Sequence, residues 1–226
     1  KNYFINIKKN KLMSIATFIF ARGGSKGISN KNIKLFNGKP LIAWSIELAK
    51  KIPRIKRVIV STDSAKIANI ANKYGAETPF LRPANLANDH SHEWDSYRHA
   101  LRYLMSEKKE KPKILLSLPC TSPLRKKIDI EKSIDKIEKN TDTDAVVTIT
   151  DSHRNPYFNM VKKTSNGNVS LVCKPKKLIK NRQEVQRVYD LTTVAYAIRV
   201  KYIFKTKNLF SGKVKSVYIP IERSLD

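Results

Sequence analysis

The densest chemistry in this chain lies in "FARGGSKGISNKN", residues 20–32, which packs Gly23, Gly24 and Gly27 into five positions. The whole sequence of 226 residues holds only seven glycines. Arg22, Lys26 and Lys31 flank or interrupt them. Glycines let a backbone approach a ligand closely, and neighbouring cations favour an anion. The stretch is not a P-loop, which needs G-x-x-x-x-G-K-[ST], and its glycines do not fall as the dinucleotide pattern G-x-G-x-x-G. A bare glycine turn between strand and helix is the ordinary alternative, yet such a turn has no need of three cations. The expectation is an anion cradle.

Other candidates are sparser. "STD" at 61–63 ends a strand ahead of a helix, and Asp63 reads as that helix's N-cap or as a ligand, the cap being preferred. In "TSPLR" at 121–125, Arg125 suits a sugar or phosphate oxygen, whereas Thr121 and Ser122 also suit turn N–H groups. His90 and His92 stand two apart on a loop with no third ligand, so they read as surface or capping groups. Trp44 and Trp94 fall on helical stretches and read as core. Cys120 and Cys173 are too far apart for a metal motif; they argue against a disulfide framework and fit a reducing cytoplasm.

Alternating elements must position these residues. Strand-like runs are expected at 14–20, 57–61, 113–118, 145–149, 192–198 and 214–219, with helical patterns at 40–51, 63–74, 93–105 and 129–138. Gly75 reads as a helix stop. The βαβα rhythm over 14–150 argues for a mostly parallel sheet with helices on both faces. It breaks over 151–190, a polar stretch with an "SNGN" turn at 165–168 that reads as a small β-rich inserted lobe. One domain over 14–226 is expected, with 1–13 a loose extension. Residues 1–21 imitate a basic leader with a short apolar core, but cleavage there would remove a core strand, so Met13 is the preferred start.

Composition bounds the rest. An apolar fraction of 41% with 28% charged residues is that of a soluble globular protein. No run of about eighteen apolar residues exists to span a membrane. Lys and Arg total 45 against 19 Asp and Glu, a formal charge of +26. The cations are spread along the chain without an aromatic-interleaved stripe, so nucleic acid receives only weak support.

Six segments in order then carry a resemblance. They are "ARGGSKGISNKNIKLFNGKPLIAWSIELA" from 21, "VIVSTDSAKIANIANKYGAE" from 58, "LRPANLANDHS" from 81, "TSPLR" from 121, "NRQEVQRVYDLTTVAYAI" from 181 and "IPIERSLD" from 219. Together they resemble the N-acylneuraminate (CMP-sialic acid) cytidylyltransferase family. The resemblance implies a Rossmann-like nucleotide-diphospho-sugar transferase fold. It implies a reaction of CTP with a 2-keto-3-deoxy sugar acid, N-acetylneuraminate or a related nonulosonic acid, to give a CMP-sugar and pyrophosphate with Mg²⁺. Such a displacement builds negative charge on the departing pyrophosphate, so positioning and charge neutralisation are what the site must supply.

By the same resemblance, Arg22 and Lys31 contact the CTP phosphates as catalytic residues. Ala21, Gly23, Gly24, Ser25, Lys26 and Asn32 share the cradle, and Arg82 lies near the nucleotide. Ser122, Arg125, Arg182 and Gln183 fall on the sugar side. There the Arg182 guanidinium suits bidentate capture of a carboxylate, with an interface salt bridge as its alternative. Asp226 matches the first of two Mg²⁺-binding aspartates in "ERS-[IL]-D-I-D"; position 228 is absent here, so weak activity is expected of the sequence as given. A homodimer through 151–190 is implied. Pro119 and Cys120 replace a family Gln-Pro, and Thr192 and Thr193 replace an Asn-Gly. These departures leave the acid open. The alternatives are an octulosonic-acid cytidylyltransferase and a basic nucleic-acid-binding protein on an inactive enzyme fold.

Overall fold

The computed structural model describes residues 14–24, 27–89, 91–174 and 181–225. Its centre is a six-stranded sheet. β1 (Ile15–Phe20) pairs in parallel with β4 (Val58–Ser61) on one side and β5 (Ile114–Ser117) on the other. Beyond β5 lies β9 (Tyr189–Arg199), antiparallel to both β5 and β6 (Ala145–Asp151). β10 (Val214–Tyr218) closes the edge in parallel with β6. The order is therefore β10-β6-β9-β5-β1-β4.

These strands read as unbroken apolar runs because both faces are buried. Side chains alternate between two cores. Ile19, Val58, Val60, Ile114 and Leu116 face α1 (Leu41–Lys50), α2 (Ala65–Lys73) and α4 (Lys127–Lys139). Phe18, Ile59 and Leu115 face α3 (Glu93–Ser106) and α5 (Val200–Lys205). A mostly parallel α/β fold with helices on both faces is what the alternation predicted. The antiparallel course of β9 is the added finding. No helix among the described residues is long and apolar enough to cross a membrane.

Two small hairpins decorate the sheet: β2 (Leu35–Phe36) with β3 (Lys39–Pro40), and β7 (Val161–Lys163) with β8 (Val169–Leu171). The second turns through Gly167 at φ 88°, in the expected "SNGN" stretch. Gly75 ends α2 at φ 84°, where its backbone takes the left-handed conformation a glycine stop provides.

Two local expectations are corrected. Asp63 does not cap α2: Ser64 does, its hydroxyl accepting from the Ile67 N–H at 3.4 Å. Trp44 is half-buried rather than core, its indole N–H donating to the Phe36 carbonyl at 3.0 Å. His92 keeps to its capping reading: its Nδ1 accepts from the Trp94 N–H at the start of α3.

Candidate functional site

The carboxyl ends of β1, β4 and β5 open onto two adjoining hollows, the place where a parallel sheet leaves its ligands. The larger, of about 680 Å³, is lined by Arg22, Gly27, Lys31 and Asn32 on one wall and by 119–121 and Pro123 on the other. Leu225 closes it from the C-terminal side. The smaller, about 340 Å³, is lined by Arg82, Asp89, Glu93 and Ser96. Phe20 and Arg22 line both. Leaving β1, the chain thus places the Arg22 side chain at the junction.

Each predicted cradle residue has a distinct setting. Ala21 is fully buried and its N–H donates to the Ser61 carbonyl, so it extends the sheet and lines neither hollow, contrary to its expected place in the cradle. Gly23 packs so close to α2 that an added Cβ would lie 3.2 Å from that of Ser64. Gly24 faces open space. Asn32 is buried and donates to the Arg22 carbonyl at 2.9 Å. Arg22 itself pairs with Asp89 at 2.8 Å. Ser25, Lys26, Asp226 and the Arg182 side chain lie outside the described residues.

Arg82 is buried, its guanidinium donating to the Ser96 hydroxyl at 3.2 Å and lying 3.9 Å from Asp63. Burial pushes its pKa down, opposed by Asp63 and reinforced by Arg22. Its Nε is buried without a partner among the described residues.

The opposite wall is a hydroxyl network. Thr193 meets both Thr121, at 2.9 Å, and Ser122, at 2.7 Å. Thr193 lies where the β6–β9 register shifts, between the Thr148–Thr192 and Val146–Ala197 pairs. Thr192 instead turns into the sheet and donates to the Thr148 hydroxyl at 2.7 Å. Arg125 does not line the crevice as expected. Its guanidinium turns inward onto the carbonyls of Pro119 and Ser122, leaving it 4% exposed. Fully buried Ser122 likewise holds the wall together. Gln183 is exposed in a short turn at Arg182–Glu184 and lines neither hollow. Cys120 is buried in the wall, and burial pushes its thiol up to about 12 against the pull of Arg125 and Lys31.

Sequence reasoning missed the apolar lining, Phe20, Ile28, Phe36 and Leu41, and the acidic partners Asp63 and Asp89. Asp89 stands in the "LRPANLANDHS" segment, but nothing local pairs it with an arginine 67 positions away. Leu225 adjoins Asp226, a neighbour that already marked the tail as part of the site.

Comparisons with known proteins agree with this fold. The chain is 35% identical over 217 residues to a post-translational flagellin modification protein B of Campylobacter coli, covering 92% of this chain and 86% of that one. It is 36% identical over 210 residues to a CMP-N,N'-diacetyllegionaminic acid synthase of Campylobacter jejuni, with the same coverage. In fold it matches a CMP:2-keto-3-deoxy-manno-octonic acid synthetase solved with CTP, at a TM-score of 0.69 and 16% identity over 92% of this chain and 90% of that one. A family model described as cytidylyltransferase matches residues 16–211. With the glycine loop, the two hollows and this match in hand, the chain belongs to the cytidylyltransferase family.

Proposed function

We propose that the protein transfers CMP from CTP to a nonulosonic acid. The observation that carries this reading is the convergence of Arg22, Lys31 and Asn32 with the 119–121 wall around one cleft. Relatives named for legionaminic and neuraminic acids, at 36% identity over 210 and 140 residues, support a nine-carbon acid over an octulosonic one.

In this reading the triphosphate lies along the glycine loop, with Arg22 and Lys31 against its oxygens. The sugar's anomeric hydroxyl gives its proton to solvent and its oxygen forms a bond to the α-phosphorus as the bond to the bridging oxygen breaks. Pyrophosphate then leaves with the electron pair. The two cations offset the charge that grows on it. Arg82, at the smaller hollow, offers N–H donors to the carbonyl of cytosine.

Magnesium would be held by Asp226 and the substrate's phosphates. Among the described residues there is no group of three or more acidic, histidine or cysteine side chains for a metal, and Mg²⁺ commonly takes few protein ligands. A hard-oxygen set of one carboxylate, phosphates and water fits it, and when bound it would screen phosphate charge. We also propose a homodimer through 151–190, where Phe158, Met160, Val161 and Val169 stand exposed. Arg182 and Gln183 belong to that segment, so they would serve a second copy's sugar side. A cytoplasmic location follows from CTP as substrate.

The test is pyrophosphate release with CTP, Mg²⁺ and a panel of 2-keto-3-deoxy sugar acids, for the wild type and Arg22→Ala. Release is expected with a nine-carbon acid. The variant should lose at least about a hundredfold in rate while keeping its fold. No turnover with any acid, or near-normal activity in the variant, refutes the reading.

A further inference from the structure

One peptide group in the glycine loop is gripped from both sides. Its carbonyl, that of Arg22, accepts from Asn32 Nδ2 at 2.9 Å; its N–H, that of Gly23, donates to Asp63 Oδ1 at 2.8 Å. The two side chains come from separate places, a short turn at Lys31–Ile33 and the connection between β4 and α2. A planar peptide held at both polar atoms cannot swing about its flanking bonds. The direction of the Arg22 side chain and of the backbone that follows is thereby set. The same Asp63 oxygen lies 3.9 Å from the buried Arg82 guanidinium, tying the loop to the smaller hollow.

Asp63 is not needed to start α2, because Ser64 caps that helix. Nor is a carboxylate an innocent neighbour of an anion cradle, since it repels the ligand. Its place there is explained by the bond it accepts. We propose that Asp63 is a positioning residue for the nucleotide: together with Asn32 it presets the Arg22–Gly23 peptide, so that this peptide and the Arg22 side chain meet the phosphates in a set direction. A preset loop loses less conformational freedom on binding. This inference rests on the CTP reading above.

Two variants separate the hydrogen bond from the charge. Asp63→Ala removes both, whereas Asp63→Asn keeps an oxygen acceptor for the Gly23 N–H and removes the charge. Three readouts apply: calorimetric affinity for CTP with Mg²⁺, steady-state kinetics, and amide hydrogen exchange of Gly23 in the ligand-free protein. For Asp63→Ala, CTP affinity and kcat/KM for CTP should fall about tenfold or more, the scale of a lost bond to a charged group. Its KM for the sugar acid should stay within roughly twofold, a difference too small to signal a lost contact. Asp63→Asn should recover CTP affinity to within about threefold of wild type. The Gly23 amide should be protected in wild type and Asp63→Asn and exposed in Asp63→Ala.

Wild-type affinity in Asp63→Ala overturns the proposal. So does an Asp63→Asn variant as impaired as Asp63→Ala, or a parallel loss of both KM values with the melting temperature. A wild-type protein that fails to bind CTP overturns the functional reading instead. The Gly23 exchange then still judges the clamp, and a freely exchanging wild-type amide refutes it.

Discussion

In the cleft wall, the Cys120 thiol is nearly sealed from water, at 3% exposed. An unfolded chain ionises a thiol near 9.0, whereas the native one holds its proton to about 12. Between those values the native state keeps a proton that the unfolded state has released. The stability Cys120 contributes is therefore complete below pH 9 and falls as pH rises through that window. Chemical unfolding one unit above pH 9 should show wild type losing about 1 kcal/mol relative to Cys120→Ala, compared with their difference at neutral pH. Parallel pH curves would mean the thiol is not shielded. At this scale the place of Arg22, Gly27 and Lys31 at one cleft was legible in the sequence, because glycines and cations crowd into thirteen residues. Asp63 was misread, since "STDS" before a helix offers four side chains with capping oxygens, and only tertiary contact turns Asp63 to Gly23 and leaves the cap to Ser64. Arg125 was misread for a related reason: nothing in "TSPLR" says whether the arginine faces solvent or its own turn.

Among the elements, α4 shows how the tail is fastened to the site. Asp129, in its first turn, accepts from the Lys126 N–H at 2.8 Å and pairs with Arg223 at 3.0 Å while 1% exposed. Arg223 lies in the turn Ile221–Arg223, just before Leu225 reaches the cleft. Replacing Arg223 with Met should leave a buried carboxylate unpaired and lower stability by about 3 kcal/mol in chemical unfolding. The double variant Arg223→Met/Asp129→Asn should regain part of that loss. A change below about 0.5 kcal/mol, the range of ordinary surface substitutions, would show the pair to be incidental. The strands around β1 were readable because burial on both faces makes each a short apolar run. The direction of β9 was not, since it depends on pairings such as Thr148 with Thr192 across a shifted register.

For the molecule as a whole, the charge of +26 makes the approach of any anion salt-dependent. KM for CTP should rise several-fold between about 0.05 M and about 0.5 M salt as screening shortens the reach of the lysines. A flat profile would confine the electrostatics to the cleft itself. The same titration with duplex DNA judges the nucleic-acid alternative, which demands submicromolar binding with a steep salt slope.

The sheet order also has a consequence in time. β4, β1 and β5 form one ribbon and β6 with β10 another, and β9 alone joins them. β9 lies late in the sequence, at Tyr189–Arg199, so a growing chain carries β5 and β6 with unpaired inner edges until it emerges. Open strand edges invite pairing with other chains. The interval between synthesis of β6 and of β9 is therefore when this chain is most exposed to mispairing, and chaperone engagement should peak there.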